Sequence, residues 1–250
     1  MSAGDQHNLI FIDPDWPAPA NIRALSTTRN GGFSEGVWGS FNLADHVGDA
    51  PLHVRQNRDL LVSALNLPAE PCWLRQVHGC SVLNAADHKS DTACDASFSF
   101  DSGQVCAVLT ADCLPLLFCT RGGDRVAAVH AGWRGLAAGV IEQTVEKFSC
   151  ERDQILVWLG PAIGPTAFEV GDDVYTVFTG AWDAGASAFV PQDDKWLCDI
   201  YQLARDRLQR LGIRNIYGGK FCTYHDAARF YSYRRDGTTG RMASLIWIEK

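Results

Sequence analysis

Six short runs of the chain are predominantly apolar: 103–110, 114–119, 125–130, 155–159, 213–217 and 243–248. Each is bounded by Gly, Pro or Asp, and none alternates cleanly, which is the pattern of short strands buried in a sheet. A helical period replaces this pattern at 136–148, where Leu136, Val140, Ile141, Thr144, Val145 and Phe148 fall on one face. A second helix fits 196–211, with Trp196, Ile200, Leu203, Ala204 and Leu211 inward, Asp193 and Asp194 before it and Gly212 after it. A third fits 51–65, with Arg55, Asn57, Arg58 and Asp59 toward solvent. Strands and helices interleave, so the expected class is α/β (α+β) with a mixed sheet.

No linker, charge block or fixed-period repeat divides the chain, and 250 residues suffice for one large core. A single domain over 1–250 is expected, with 1–20 as a peripheral N-terminal segment. Two Gly-rich stretches, TTRNGGFSEGVWGSFNL (27–43) and FYSYRRDGTTGRMA (230–243), join arginines to glycines and aromatics. They read as loops that bind a ligand or, equally, as hairpin turns built on N-G and D-G.

The run VLTADCLPLLF (108–118) is interrupted by Asp112 and Cys113. A carboxylate inside an apolar run is costly unless it is paired or supports a metal ligand. Cys113, His78 in WLRQVHG and His130 in AAVHAGWRG each stand at the end of an apolar run. Two imidazoles and one thiolate are a ligand set for zinc that leaves a fourth position open. Taken singly, each histidine also reads as an ordinary hydrogen-bonded residue and Cys113 as a small buried hydrophobe. The separations, 35 and 17 residues, are unlike the paired spacing of structural zinc modules.

Composition narrows the field. A formal charge of −7 argues against a nucleic-acid footprint, though local arginines can still recognise a small anion. Nine cysteines without a C-x-x-C pair read as reduced thiols. No secretion signal or membrane-length apolar stretch is evident, so a cytoplasmic location without a membrane partner is expected. No sequence feature specifies an oligomeric state.

RQVHG, TADCLP and HAGWRG, in this order, resemble the signature blocks of the YfiH-like, laccase-domain or multicopper polyphenol oxidase family, which is related to a group of purine nucleoside phosphorylases. TTRNGGFS, FNLADHVGD, LGPAIGPTAFEVG and YSYRRDGTTGRMASLIW also resemble family blocks, so the likeness runs from about Thr27 to Trp247. The resemblance implies a layered α/β/β/α fold with mixed sheets. It also implies that His78, Cys113 and His130 are the metal ligands, with zinc as the metal or copper in the oxidase reading.

The activities attached to the family differ. A laccase-type copper cluster needs many imidazoles, whereas this chain has seven histidines and no H-x-H pair. One open zinc suits Lewis-acid or water-activating chemistry instead. The resemblance implies a zinc-dependent purine nucleoside phosphorylase, also acting on methylthioadenosine and deaminating adenosine, with nucleoside and phosphate as its small-molecule partners. Under that reading Cys113, His130 and Asp112 are catalytic, and Arg29, Gln76, Arg234 and Arg235 bind substrate. Asp112 is expected to orient an imidazole or to act as general acid or base, the first being favoured. Asp95 is a further candidate that also reads as a turn residue. Three other readings stand: a peptidoglycan-editing amidase acting on a UDP-muramoyl amino acid precursor, a metal-independent cysteine hydrolase using Cys113, His130 and Asp112, and a non-enzymatic protein that binds a purine in the cleft.

Overall fold

The computed structural model describes residues 8–89, 92–180 and 185–249. A six-stranded mixed sheet forms its centre. Its strands, in spatial order, are β12 (Asn215–Gly218), β8 (Ile155–Leu159), β6 (Leu114–Thr120), β7 (Val126–Ala131), β4 (Ala96–Ser99) and β3 (Val82–Asn84). A four-stranded antiparallel sheet orders β1 (Phe11–Ile12), β2 (Ile22–Thr27), β13 (Met242–Ile248) and β5 (Val105–Thr110). A small third sheet joins β10 (Phe189–Gln192), β11 (Lys195–Cys198) and β9 (Glu169–Val170).

The two larger sheets pack face to face. Leu117, Cys119, Ala128, Leu156 and Trp158 of the first meet Cys106, Val108, Ile246 and Ile248 of the second in one apolar cluster. The opposite face of the six-stranded sheet is covered by α2 (Trp133–Ala138), α3 (Val140–Phe148), α4 (Asp172–Gly180) and α5 (Ile200–Arg210). On the outer face of the four-stranded sheet, Leu25, Leu109 and Leu245 pack against α1 (Pro51–Leu65) through Leu61. The result is the expected α/β/β/α layering. β5, β6, β7, β8 and β13 are buried along their entire length, which is why they read as unbroken apolar runs.

The interruption in VLTADCLPLLF is the crossing between the two sheets. β5 ends at Thr110 in one sheet and β6 begins at Leu114 in the other. Asp112 makes the turn in the left-handed region, at φ 93°, a conformation that costs about 1–3 kcal/mol in a non-glycine residue and clusters at functional sites. Pro115 lies opposite His130 at the start of β6, before the pairing with β8 begins.

Three expectations about helices are corrected. The span 136–148 is two helices, because Gly139 stands at φ 90° between α2 and α3. The span 196–211 starts late: Trp196 lies in β11, and α5 is capped by Asp199, whose side chain accepts from the Gln202 N–H at 3.0 Å. In α1, Asn57 faces inward and is fully buried. It accepts from the Phe33 N–H at 2.8 Å and donates to Ser34 Oγ at 2.9 Å and to the Asn42 carbonyl at 2.8 Å. It thereby fixes the 27–43 loop against the helix. Within that loop a Cβ on Gly32 would lie 2.4 Å from the Ser40 carbonyl oxygen, so no larger residue fits.

Within the N-terminal segment, residues 1–7 lie outside the described residues. Beyond them, β1 joins the four-stranded sheet, and Ile12, Trp16 and Ala18 pack against the apolar cluster between the sheets. No described helix is long and apolar enough to cross a membrane.

Candidate active site

His78, Cys113 and His130 come from three different segments and converge at one end of the sheets. Their ligating atoms all lie within 4.8 Å of one another. Cys113 Sγ is 3.9 Å from His78 Nε2, and the two imidazole rings meet edge-on with centroids 4.8 Å apart. Gly132 clears the space beside them, since a Cβ there would stand 3.1 Å from Cys113 Sγ and 3.2 Å from His78 Cδ2.

Asp95 organises two of these residues. Fully buried, it accepts the His130 Nδ1–H at 2.8 Å. It also accepts three successive main-chain N–H groups, from Val77 at 3.3 Å, His78 at 2.8 Å and Gly79 at 2.7 Å. These bonds hold His78 in the left-handed conformation, at φ 60°. In the neutral imidazole the Nδ1 proton is the one shared with Asp95, so Nε2, facing away from Asp95, carries the lone pair that a metal would take once it displaces the second proton.

The donor set fits a metal ion. Tetrahedral zinc with sulfur and nitrogen ligands places those two atoms about 3.6 Å apart, a few tenths of an ångström below the observed Cys113–His78 separation of 3.9 Å. The electrostatics favour the ligating form of the thiol. Burial alone would raise Cys113, but His130 and His78 outweigh it and bring the thiol down from 9.0 to about 6. Burial alone would lower His130, but Cys113 and Asp95 raise it to about 9. Elsewhere, buried thiols such as Cys72 and Cys106 are pushed up to about 12.

Asp112 does not orient either imidazole. Thr223 Oγ1 donates to its Oδ1 at 2.6 Å and the Arg234 N–H to its Oδ2 at 2.6 Å. It thus ties the sheet crossing to the short helix α6 (Tyr233–Asp236). The imidazole-orienting carboxylate is Asp95, which the sequence offers as a further candidate whose commoner reading is a turn-forming aspartate. The burial of the following ASFS strand is the signal that distinguishes it.

A cavity of about 290 Å³ opens on the site, lined by His78, Asp112, Cys113, Trp133, Arg134, Phe168, Tyr233 and Arg234, with Ala111, Ile163 and Ile200 completing its walls. Of the four residues expected to bind substrate, only Arg234 is among them. Arg29 donates from Nε and Nη2 to the Gly39 carbonyl and from Nη1 to the Ala227 carbonyl. Gln76 is clamped to β5, donating to the Leu109 carbonyl at 2.8 Å and accepting the Leu109 N–H at 2.7 Å. Arg235 donates to the carbonyls of Thr223, Tyr224 and Phe230 and pairs with Asp236. These three side chains tie main-chain segments together and do not line the cavity. Trp133 and Arg134, inside the quoted block HAGWRG, were not singled out in the sequence, yet both line it.

Arg241 lies behind this wall, its Nη1 donating to the carbonyls of Thr239 and Gly240. Burial lowers its pKa, and the neighbouring charges of Cys113 and Asp112 partly restore it.

Comparison with known proteins gives a consistent assignment. The chain is 53% identical to the purine nucleoside phosphorylase YfiH of Escherichia coli (strain K12) over 239 residues, covering 95% of this chain and 98% of that protein. A purine nucleoside phosphorylase of Pseudomonas aeruginosa is 52% identical over 241 residues, covering 96% of this chain and 98% of that protein. Among solved structures, a Neisseria meningitidis protein superposes with a TM-score of 0.93 at 48% identity, covering 96% of this chain and 99% of that one. YlmD from Geobacillus stearothermophilus superposes at 0.90 with 29% identity, covering 96% of each chain. The profile described as "Multi-copper polyphenol oxidoreductase laccase" matches residues 23–249, so the chain belongs to that family and carries its fold around a single described group of three metal-capable side chains.

Proposed function

We propose that this chain is a purine nucleoside phosphorylase that works in the cavity beside His78, Cys113 and His130, with zinc as its metal. The observation that carries the reading is a cavity that opens on His78 and Cys113 of the two-histidine, one-cysteine donor set and is lined by arginines and aromatic faces. The names of the relatives at 52–53% identity point the same way. Methylthioadenosine phosphorolysis and adenosine deamination at the same site belong to this proposal.

Zinc, when bound, supplies a Lewis acid that polarises a substrate group and activates water. The protein does the rest. Asp95 fixes the His130 tautomer and the His78 backbone, so the donor set is preorganised. Trp133, Phe168 and Tyr233 offer apolar faces to a purine. Asp112 borders the cavity and is held by Thr223 and the Arg234 N–H, a fixed position suited to proton transfer with the purine. Copper is a second candidate for a thiolate and imidazole donor set. A multi-copper cluster is not favoured, because one described group of three donors is present.

The decisive experiment measures metal content in the wild type and in Cys113→Ala, and incubates each with adenosine and methylthioadenosine with and without phosphate. Stoichiometric zinc, with phosphate-dependent release of free base that Cys113→Ala lacks, is the expected result. Inosine formed without phosphate supports the deaminase activity. No nucleoside turnover by zinc-loaded wild type sinks the reading and favours the UDP-muramoyl amidase. Full activity in metal-free protein favours the cysteine hydrolase, with Asp95 rather than Asp112 behind His130.

A further inference from the structure

Two arginines in this chain face the same cavity from different segments. Arg134 lies in the first turn of α2, and Arg234 lies in α6. Each guanidinium is set over an aromatic ring: Arg134 over Trp133 at 4.3 Å and Arg234 over Phe168 at 5.4 Å. Arg234 is further fixed by donation from Nη1 to the Glu169 carbonyl at 2.8 Å. Among the described residues, neither guanidinium has a carboxylate within salt-bridge distance. Its sequence neighbour Arg235 pairs with Asp236 at 2.7 Å, and Arg207 pairs with Glu142 at 2.6 Å.

The cavity wall contains one carboxylate, Asp112, and both of its oxygens already accept hydrogen bonds from Thr223 and the Arg234 N–H. Two stacked guanidinium groups therefore face one small cavity without a carboxylate paired to either. Arginine forks match the geometry of a tetrahedral oxyanion, and stacking on an aromatic ring limits the entropy lost when the anion binds.

We infer that Arg134 and Arg234 form the subsite for the phosphate dianion, an assignment that rests on the phosphorylase reading for its catalytic role. Bound there, phosphate lies in the cavity that also holds Asp112 and the donor set. One phosphate oxygen forms a bond to the anomeric carbon of the sugar as the bond from that carbon to the purine nitrogen breaks. The electron pair of the broken bond goes to the purine nitrogen, the phosphate proton is passed to the purine, and the products are free base and sugar 1-phosphate. Arg29 and Arg235 take no part, because their donors are held by main-chain carbonyls.

The test uses zinc-loaded full-length protein, with inorganic phosphate and uridine diphosphate titrated separately by calorimetry, and with KM measured for phosphate and for nucleoside. Arg134→Ala and Arg234→Ala are each expected to weaken phosphate binding and to raise the KM for phosphate about tenfold or more. The KM for nucleoside should change less, and Arg→Lys variants should recover part of the loss. Arg234→Ala keeps the main-chain N–H on Asp112, and unchanged zinc content and melting temperature identify folded variants. Undiminished phosphate affinity in both alanine variants overturns the subsite. Tighter, arginine-dependent binding of uridine diphosphate than of phosphate overturns its assignment to free phosphate. If wild type turns over no nucleoside, the phosphorylase reading fails, while the phosphate titrations still decide whether the two arginines bind the anion.

Discussion

Asp95 and Asp112 are both buried carboxylates near the same three ligand-type side chains, yet they hold different things. Asp95 is closed off from solvent and satisfied by His130 and three consecutive N–H groups. Asp112 keeps an edge on the cavity and is held by Thr223 and the first turn of α6. The first preorganises the donor set, while the second joins the sheet crossing to α6, which carries Arg234. Adjacency in sequence favoured Asp112 as the partner of the donor set, but a carboxylate supports an imidazole only where its oxygens reach the ring.

The largest effect expected at the site comes from removing a donor. Cys113→Ala should lose stoichiometric metal, as read by elemental analysis, and with it nucleoside turnover; retained metal would break the whole assignment. Asp112→Asn should keep the metal and lose about 10²-fold or more in turnover, the scale of a missing acid or base. Asp95→Asn should do the reverse, weakening metal affinity about 10–100-fold in a chelator competition. An Asn can accept with one oxygen, so its amide group must face either the Gly79 N–H or the His78 and His130 donors. If both variants lose metal equally, the contrast between the two carboxylates collapses.

pH sharpens the same contrast. Burial alone would raise the Asp95 carboxyl, but bonds from His130, Gly79 and His78 outweigh it and hold it below the ordinary 3.8. A depressed folded-state pKa means that its stabilisation is complete above the unfolded pKa and is lost as pH falls through the lower folded value. The difference in melting temperature between wild type and Asp95→Asn should therefore be constant from neutral pH to about pH 5 and shrink below about pH 4. A difference that grows on acidification would contradict the assigned bonds. In metal-stripped protein, alkylation of Cys113 should titrate near pH 6, against about 12 for Cys72 and Cys106. Mass spectrometry of the labelled peptides reads this directly. The smallest effect is that of Thr223→Val, which removes one donor to Asp112 and should cost about 2 kcal/mol, or about 4–8 °C in melting temperature.

Legibility in the sequence followed burial. β5, β6, β7, β8 and β13 lie between layers, so nearly every position is apolar and the run announces itself. β10 and β11 are short and partly exposed, so Trp196 was absorbed into a helical pattern that begins only at Ile200. Gly139 divides α2 from α3 through its positive φ, which the continuing apolar stripe conceals. The three donors were legible because each closes an apolar run and sits in a recognisable block. The roles of the arginines were not. Arg234 and Arg235 are adjacent and chemically identical, yet one faces the cavity and the other binds carbonyls.

The sequence alone determined the mixed α/β class and offered His78, Cys113 and His130 as candidate ligands, because apolar periodicity and local motifs are properties of neighbouring residues; the α/β/β/α layering followed from the family resemblance that the motif blocks carry. Only the tertiary structure decided that Asp95 supports His130 and that Asp112 anchors α6. It also decided that Arg134 and Arg234, rather than Arg29, Gln76 and Arg235, face the cavity. Hydrogen-bond donors and charges act over a few ångströms, and at this site those distances join residues from 16 to 122 positions apart in the chain.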